Sequence, residues 1–399
     1  MTAIRLLLLS ALLAPAALAQ TWTPQNSGTA VELTGVHFIS ATTGVAVGEG
    51  GVALRTTDGG ETWSAQTLPA EDLEAVAFNP SGTVGIAVSD DGPVFRTTDG
   101  GATWSFVATG AGDLRDVDWA DDAVVWVAGR DGDAAVSTDA GLTWAYRNTG
   151  SAERTESVAA VSAAEAFVGN REGELRRTTD GGLTWAPVFL GTDRDLNDIQ
   201  MLGTTGYISG NGDTVLKTTD GGATWADASN GSAGDEGLFF LDAATGWVVG
   251  DGGEIWFTDD GGASWTLQPS GTAANLTEVH FPTPSDGWAV GEGGAIVKFS
   301  GITTAAEPGA SPRGFALSEA HPNPFTRRAA FTLEVAEAQH VQAEVYDALG
   351  RRVVVLHDGV MEAGAHALVL DGSSLPAGVY VVRVTGEAFA ATRRAVLLR

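Results

Sequence analysis

Cysteine is absent from the 399-residue chain. No disulfide, thiol nucleophile or thiolate metal site can form, and the fold must be held by its core alone. Beyond the first twenty residues no apolar run approaches the roughly 20 residues that span a bilayer. The sequence also lacks a P-loop, an HExxH pair, a nucleophile elbow and a dinucleotide fingerprint. Basic side chains are scarce, 22 against 50 acidic ones, and the imbalance is confined to one part of the chain. Residues 20–307 hold 12 basic and 41 acidic side chains, whereas residues 308–399 hold nine of each. A surface so acidic repels nucleic acid and anionic membranes, so neither is expected as a partner. It suits first a solvated, salt-tolerant surface, and otherwise a cationic partner.

What is present begins with MTAIRLLLLSALLAPAALAQ. One positive charge, Arg5, precedes an apolar stretch that ends in Ala17-Leu18-Ala19, the pattern of a secretory signal peptide over residues 1–19. The organising feature then appears as a repeat. The phrase TTDGGETW ending at Trp63 recurs as TTDGGATW at Trp104, STDAGLTW at Trp144, TTDGGLTW at Trp185, TTDGGATW at Trp225 and TDDGGASW at Trp265. Successive tryptophans lie 40 or 41 residues apart, the length of one four-stranded blade. Each unit contains short β-rich runs broken by glycine, such as LTGVHF, GVAVGEGG and VALRTT. Inner-strand phrases occur seven times, yet the seventh, at 276–301, has no box and no fourth strand. TWTPQNSGT at 21–29 matches SWTLQPSGT at 264–272, so the N-terminus is expected to supply that strand and close the ring.

The fold class predicted is therefore all-β: a seven-bladed β-propeller over residues 20–301, closed by its N-terminal strand. The box and its spacing resemble the Asp-box, or bacterial neuraminidase, repeat, and residues 21–301 resemble the propellers of the photosystem II assembly factors. The resemblance implies that Asp58, Asp99, Asp139, Asp180, Asp220 and Asp260 are structural turn residues. Physical chemistry agrees, because an aspartate accepts backbone N–H bonds, the glycines permit positive φ and the tryptophan packs between blades. The box tryptophans Trp63, Trp104, Trp144, Trp185, Trp225 and Trp265 are accordingly read as architecture. Arg55, Arg96, Arg177 and Lys217, which precede the boxes, are read the same way.

Past a linker at 302–316, the phrases PNPF, VYDALGRRV, LPAGVYVVRV and TRRAVLLR resemble the C-terminal sorting domain of the type IX (Por) secretion system across residues 317–399. The resemblance implies a small Ig-like β-sandwich recognised by that machinery, and a route by Sec export and then outer-membrane passage to the cell surface or the medium.

Function is expected on the face opposite the boxes, where loops meet the channel. With the inner strands aligned on Phe38, Phe78, Trp119, Ala160, Met201, Phe240 and Phe281, the position four earlier reads Thr34, Glu74, Arg115, Glu156, Asn197, Glu236 and Thr277. Glu74, Arg115, Glu156, Asn197 and Glu236 are the candidate binding ring, with Asp90, Asp91, Arg130, Asp131, Arg171, Glu172 and Asp251 on adjoining loops. The alternative is that these groups hold water or pair with one another, as Arg115 can with Glu74 or Glu156. No catalytic residue, metal or cofactor is assigned; His37 and His280, at equivalent positions, read as repetition of VHF. The chain is expected to be a monomeric, non-enzymatic scaffold for an unknown protein or glycan. The alternative is a sialidase-like or xyloglucanase-like glycoside hydrolase using carboxylates at the channel mouth. The sialidase inventory is poor, since Tyr146 and Tyr207 fall on outer and second strands, and Arg115, Arg154 and Arg194 have the carboxylates Asp116, Glu153, Asp193 and Asp195 beside them.

Overall fold

The computed structural model describes residues 21–69, 72–232, 234–300, 315–317, 325–335, 338–347, 352–373, 375–376, 378–385 and 390–398. The expected signal peptide, most of the expected linker and the HPNP run at 321–324 lie outside the described residues. The chain divides into two compact units, the first ending at Ile302 and the second beginning at Thr303.

Among the described residues of the first unit the glycine-punctuated β runs form seven four-stranded antiparallel sheets, six of them meanders of consecutive strands. The inner strands are Leu33–Phe38, Leu73–Phe78, Leu114–Trp119, Thr155–Ala160, Leu196–Leu202, Asp235–Phe240 and Leu276–Thr283. Each touches the next, and the last touches the first, so the sheets form the ring of a β-propeller. The seventh sheet takes its outer strand from Thr21–Gln25, which pairs with Ala295–Ser300 and sets Trp22 opposite Phe299. Trp22 is buried against Phe281 and Phe299, and its Nε1–H donates to Gln268 Oε1 at 2.8 Å.

The seams between sheets carry most of the core. Inner-strand aromatics lie flat on second-strand aromatics of the preceding sheet: Phe38 on Trp288, Phe240 on Tyr207 and Phe281 on Trp247, with centroids 3.5, 3.5 and 3.7 Å apart. The boxes repeat one geometry. Asp58 Oδ1 accepts from Thr56 Oγ1 and the Thr62 N–H, and Oδ2 accepts from Thr62 Oγ1 at 2.6 Å; the other five aspartates do the same with their own neighbours. These bonds hold the Asp58 carboxyl down at about 2, the Thr62 hydroxyl first. Gly59 and Gly60 take φ of +74° and +86°, where a β-carbon would be strained. The cation before a box reaches across the seam to the next box: Arg55 donates to the Gly100 carbonyl, Arg96 to that of Ala140 and Lys217 to that of Gly261, each at 2.7 Å. Arg177 departs from this pattern and pairs with Glu165.

The second unit packs a three-stranded sheet, containing Phe315–Leu317, Arg328–Val335 and Gly364–Asp371, with a four-stranded one. The latter runs in the order Arg352–Met361, Gln339–Asp347, Gly378–Thr385, Ala390–Leu397. Phe325, Phe331, Val341, Val345, Val382 and Leu397 form its core. Strand Phe315–Leu317 begins within the span expected to be linker: its register with Leu333–Val335 gives those residues a backbone partner.

Candidate functional site

Each inner strand has its outer edge paired and its inner edge turned to the axis, so its free N–H and C=O groups need partners. A β-bulge at the start of every inner strand, for example between Leu114 and Asp116 or Leu196 and Asp198, turns two consecutive residues toward the channel. The first of the two faces the mouth. The second lies deeper and reads Gly35, Ala75, Asp116, Ser157, Asp198, Gly237 and Glu278 around the ring, so that each of the three acids stands between small residues.

The mouth is a cavity of about 310 Å³. Glu74, Arg115, Glu156, Asn197 and Glu236, together with Thr34 and Thr277, all line it, so the structure brings the whole expected ring together. Arg171 also reaches it, whereas Arg130 turns outward to Asp113 at 2.8 Å; Asp90, Asp91, Asp131, Glu172 and Asp251 do not line it. Arg115 is clamped between Glu74 and Asp113. Glu156 takes Arg154 Nε at 2.9 Å and Arg171 Nε at 2.5 Å. The charges are thus segregated: three arginines with two glutamates on one side, and Glu236, Asp195 and Glu32 on the other. Glu236 accepts from Asn197 Nδ2 at 3.0 Å and has no ion pair among the described residues. Burial, then the charges of Asp251, Glu156, Asp195 and Asp235, pushes its carboxyl up to about 7. Burial also raises Glu74 despite Arg115, and lowers Arg154, which sits among Arg115, Arg171 and Arg130.

By its place in the chain Asp116 is expected to compete for Arg115. The structure instead turns it into the channel, where Oδ2 accepts the Val158 N–H of the next sheet at 2.7 Å. Asp118 does the same for Ala160, Asp198 for Leu238 and Gln200 for Phe240. Thr34, Ser157 and Thr277 donate to the carbonyls of Leu73, Leu196 and Leu33. These channel side chains stitch neighbouring sheets, a role the alternation of polar residues in LRDVDW and LNDIQM signals once the axis-facing edge is recognised. Enclosure pushes Asp116 and Asp118 up to about 7 and Asp198 to about 6. A second cavity of about 420 Å³ continues beneath, sharing Asp116, Asp198 and Glu278 with the mouth and lined by His37, His280 and Phe239. Among the described residues, no three His, Asp or Glu side chains are grouped as a metal ion would need. Tyr207 is fully buried with its hydroxyl on the Ala243 carbonyl, and Tyr146 bonds Asp133 on the outer strand; neither reaches the mouth.

The fold and site define an all-β propeller whose ends are joined by strand pairing, followed by a separate β unit that marks the chain for the type IX route to the cell surface or beyond. The comparisons give the particulars. Residues 14–111 and 227–300 match the family model described as photosynthesis system II assembly factor YCF48. Residues 319–397 match the secretion system C-terminal sorting domain. Among solved structures, YCF48 bound to D1 peptide is 22% identical with a TM-score of 0.60, covering 72% of this chain and 99% of its own. YCF48 from Cyanidioschyzon merolae is also 22% identical, with a TM-score of 0.58, covering 70% and 98%. At this identity the likeness is one of fold. No curated protein matches the chain.

Proposed function

We propose that this chain is an exported, non-enzymatic scaffold: a seven-bladed propeller, closed by its N-terminal strand, that holds an extended segment of a partner protein or a glycan at the channel mouth. Glu74, Arg115, Glu156, Asn197 and Glu236 form the contact ring, and residues 317–399, read as an Ig-like sandwich, address the type IX machinery and leave the propeller a monomer. The observation that supports a binder is the pairing at the mouth. Glu74 and Glu156 are neutralised by Arg115, Arg154 and Arg171, so they present a fixed charge pattern rather than a free acid and base. A solved propeller of similar fold was captured with a peptide, which fits the same mode of use. One observation favours the glycoside hydrolase instead: Glu236, raised to about 7, has the protonation a general acid needs. Such an enzyme also needs a second, ionised carboxylate free to act on the substrate, and Glu156 is tied to two arginines.

Screening the full-length secreted chain against peptide and glycan arrays, alongside a panel of glycosidase substrates, separates the readings. A ligand whose binding weakens tenfold or more in both Arg154→Ala and Glu236→Gln supports the scaffold. Turnover of any glycoside that is lost in Glu236→Gln would replace it with the hydrolase.

A further inference from the structure

Below the mouth ring and the ring that holds Asp116, Asp198 and Glu278, the channel has a third tier, reached by stepping two residues further along each inner strand. Phe239, His280 and His37 occupy it on three successive sheets, the sixth, seventh and first. The Phe239 ring meets the His280 imidazole edge to face at 4.8 Å, and His280 lies over His37 at 4.0 Å, so the three form one aromatic arc. Asp118 of the third sheet and Gln200 of the fifth complete the polar side of the tier. In a ring of seven the third sheet stands across from the junction of the sixth and seventh, which sets Asp118 opposite the meeting of Phe239 and His280.

The two lower tiers enclose the cavity of about 420 Å³, larger than the mouth and within the range of about 300–1,000 Å³ usual for small-molecule sites. Its far end is bordered by Pro80, Ser81, Gly82 and Pro282, at the ends of inner strands remote from the mouth. Charge in this cavity is unbalanced. Asp116, Asp118, Asp198 and Glu278 line it, and among the described residues no lysine or arginine does. The imidazoles are uncharged, since His280 Nδ1 accepts the Phe38 N–H and burial holds His37 down at about 4.

Joining neighbouring sheets does not require these charges. Asp118 takes the Ala160 N–H, but Gln200 on the same tier takes both the N–H and the carbonyl of Phe240. Ser157, on the tier of Asp116 and Asp198, does the task with a hydroxyl. A neutral amide or hydroxyl therefore suffices for the joint, whereas enclosing a carboxyl without a counter-ion is costly. Each oxygen that takes an N–H also keeps a second lone pair free.

We propose that the lower cavity is a binding site for an organic ammonium ion, its nitrogen among Asp116, Asp118 and Asp198 and its apolar body on the arc of Phe239, His280 and His37. The arc favours a weakly hydrated organic cation, and among the described residues no three carboxylate or imidazole groups are grouped as a metal ion would need. A free amine and the lysine side chain of a bound protein share this chemistry. Burial first, with the acids' mutual charges adding to it, holds all four carboxyls above their usual range, as expected of acids that no cation of the chain neutralises. The site does not depend on what the mouth binds.

Isothermal titration calorimetry of the full-length secreted chain tests this with pentylammonium against uncharged pentanol, and with a blocked lysine peptide against the same peptide carrying norleucine. At least one charged probe should bind about tenfold more tightly than its uncharged counterpart; the tighter of the two charged probes names the source, small molecule or protein. Asp118→Asn and Asp198→Asn each keep an oxygen for the N–H they hold, and each should weaken that binding about tenfold. Arg154→Ala, at the mouth, should leave it unchanged. No preference for either charged probe overturns the proposal, and this wild-type comparison decides even where a variant fails to fold. Affinity unchanged in both aspartate variants, or an equal loss in Arg154→Ala, overturns it too.

Discussion

The imidazole of His280 lies over that of His37, centroids 4.0 Å apart, and its Nδ1 accepts the backbone N–H of Phe38 at 3.2 Å. This contact crosses the seam where the last sheet meets the first, and it requires an unprotonated nitrogen. Burial lowers His37 to about 4, and burial, with the charge of His37 adding to it, holds His280 well below the usual imidazole range. A base held below its unfolded value binds fewer protons when folded, so this contact loses stability as pH falls from about 6.5 toward 4. His280→Leu should lower stability by about 1–3 kcal/mol at pH 7 through the unmet Phe38 N–H. It should also remove part of the acid-side loss, as urea titrations at pH 7 and pH 4.5 would show.

The channel carboxyls work with the opposite sign. Asp116 and Asp118 at about 7 and Asp198 at about 6 lie well above their usual range, burial being the first cause. The folded state then binds more protons than the unfolded one, and stability rises as pH falls from about 7 toward 4. The melting temperature should therefore be several degrees higher near pH 5.5 than at pH 8. Asp116→Asn keeps an oxygen for the Val158 N–H and should raise the pH 8 value while leaving pH 5.5 almost unchanged. A wild-type melting temperature that climbs between pH 5.5 and 8 would contradict this account.

Trp22 joins the first residues of the propeller to its last strands. Removing its ring opens a cavity against Phe281 and Phe299 and leaves Gln268 without its indole donor. Trp22→Ala should cost about 3–5 kcal/mol, measured by urea unfolding of the full chain. A cost near zero would mean that the N-terminal strand contributes pairing without closure.

Within a box the buried hydroxyl matters as much as the aspartate. Thr97 Oγ1 accepts the Gly101 N–H at 3.0 Å and donates to Asp99 Oδ1 at 2.8 Å. Thr97→Val preserves shape but strands a buried N–H, at a cost of about 1–3 kcal/mol. Thr103, whose box contacts are exposed, should tolerate the same change with a smaller loss in melting temperature.

The glycines, the tryptophan period and the match of TWTPQ to the end of the sixth repeat determined the architecture, because each is a local demand. A turn at positive φ needs glycine, and a seam needs a large flat side chain at every repeat. The ring of mouth residues was legible for the same reason, since one strand position recurs at a fixed spacing. What the sequence could not decide is which polar groups face one another. Asp116 stands next to Arg115 in the chain but bonds Val158, because the bulge turns it down the channel toward an N–H that only the neighbouring sheet supplies. Charge compensation is a property of distances between strands from different sheets, and those distances exist only once the ring has closed.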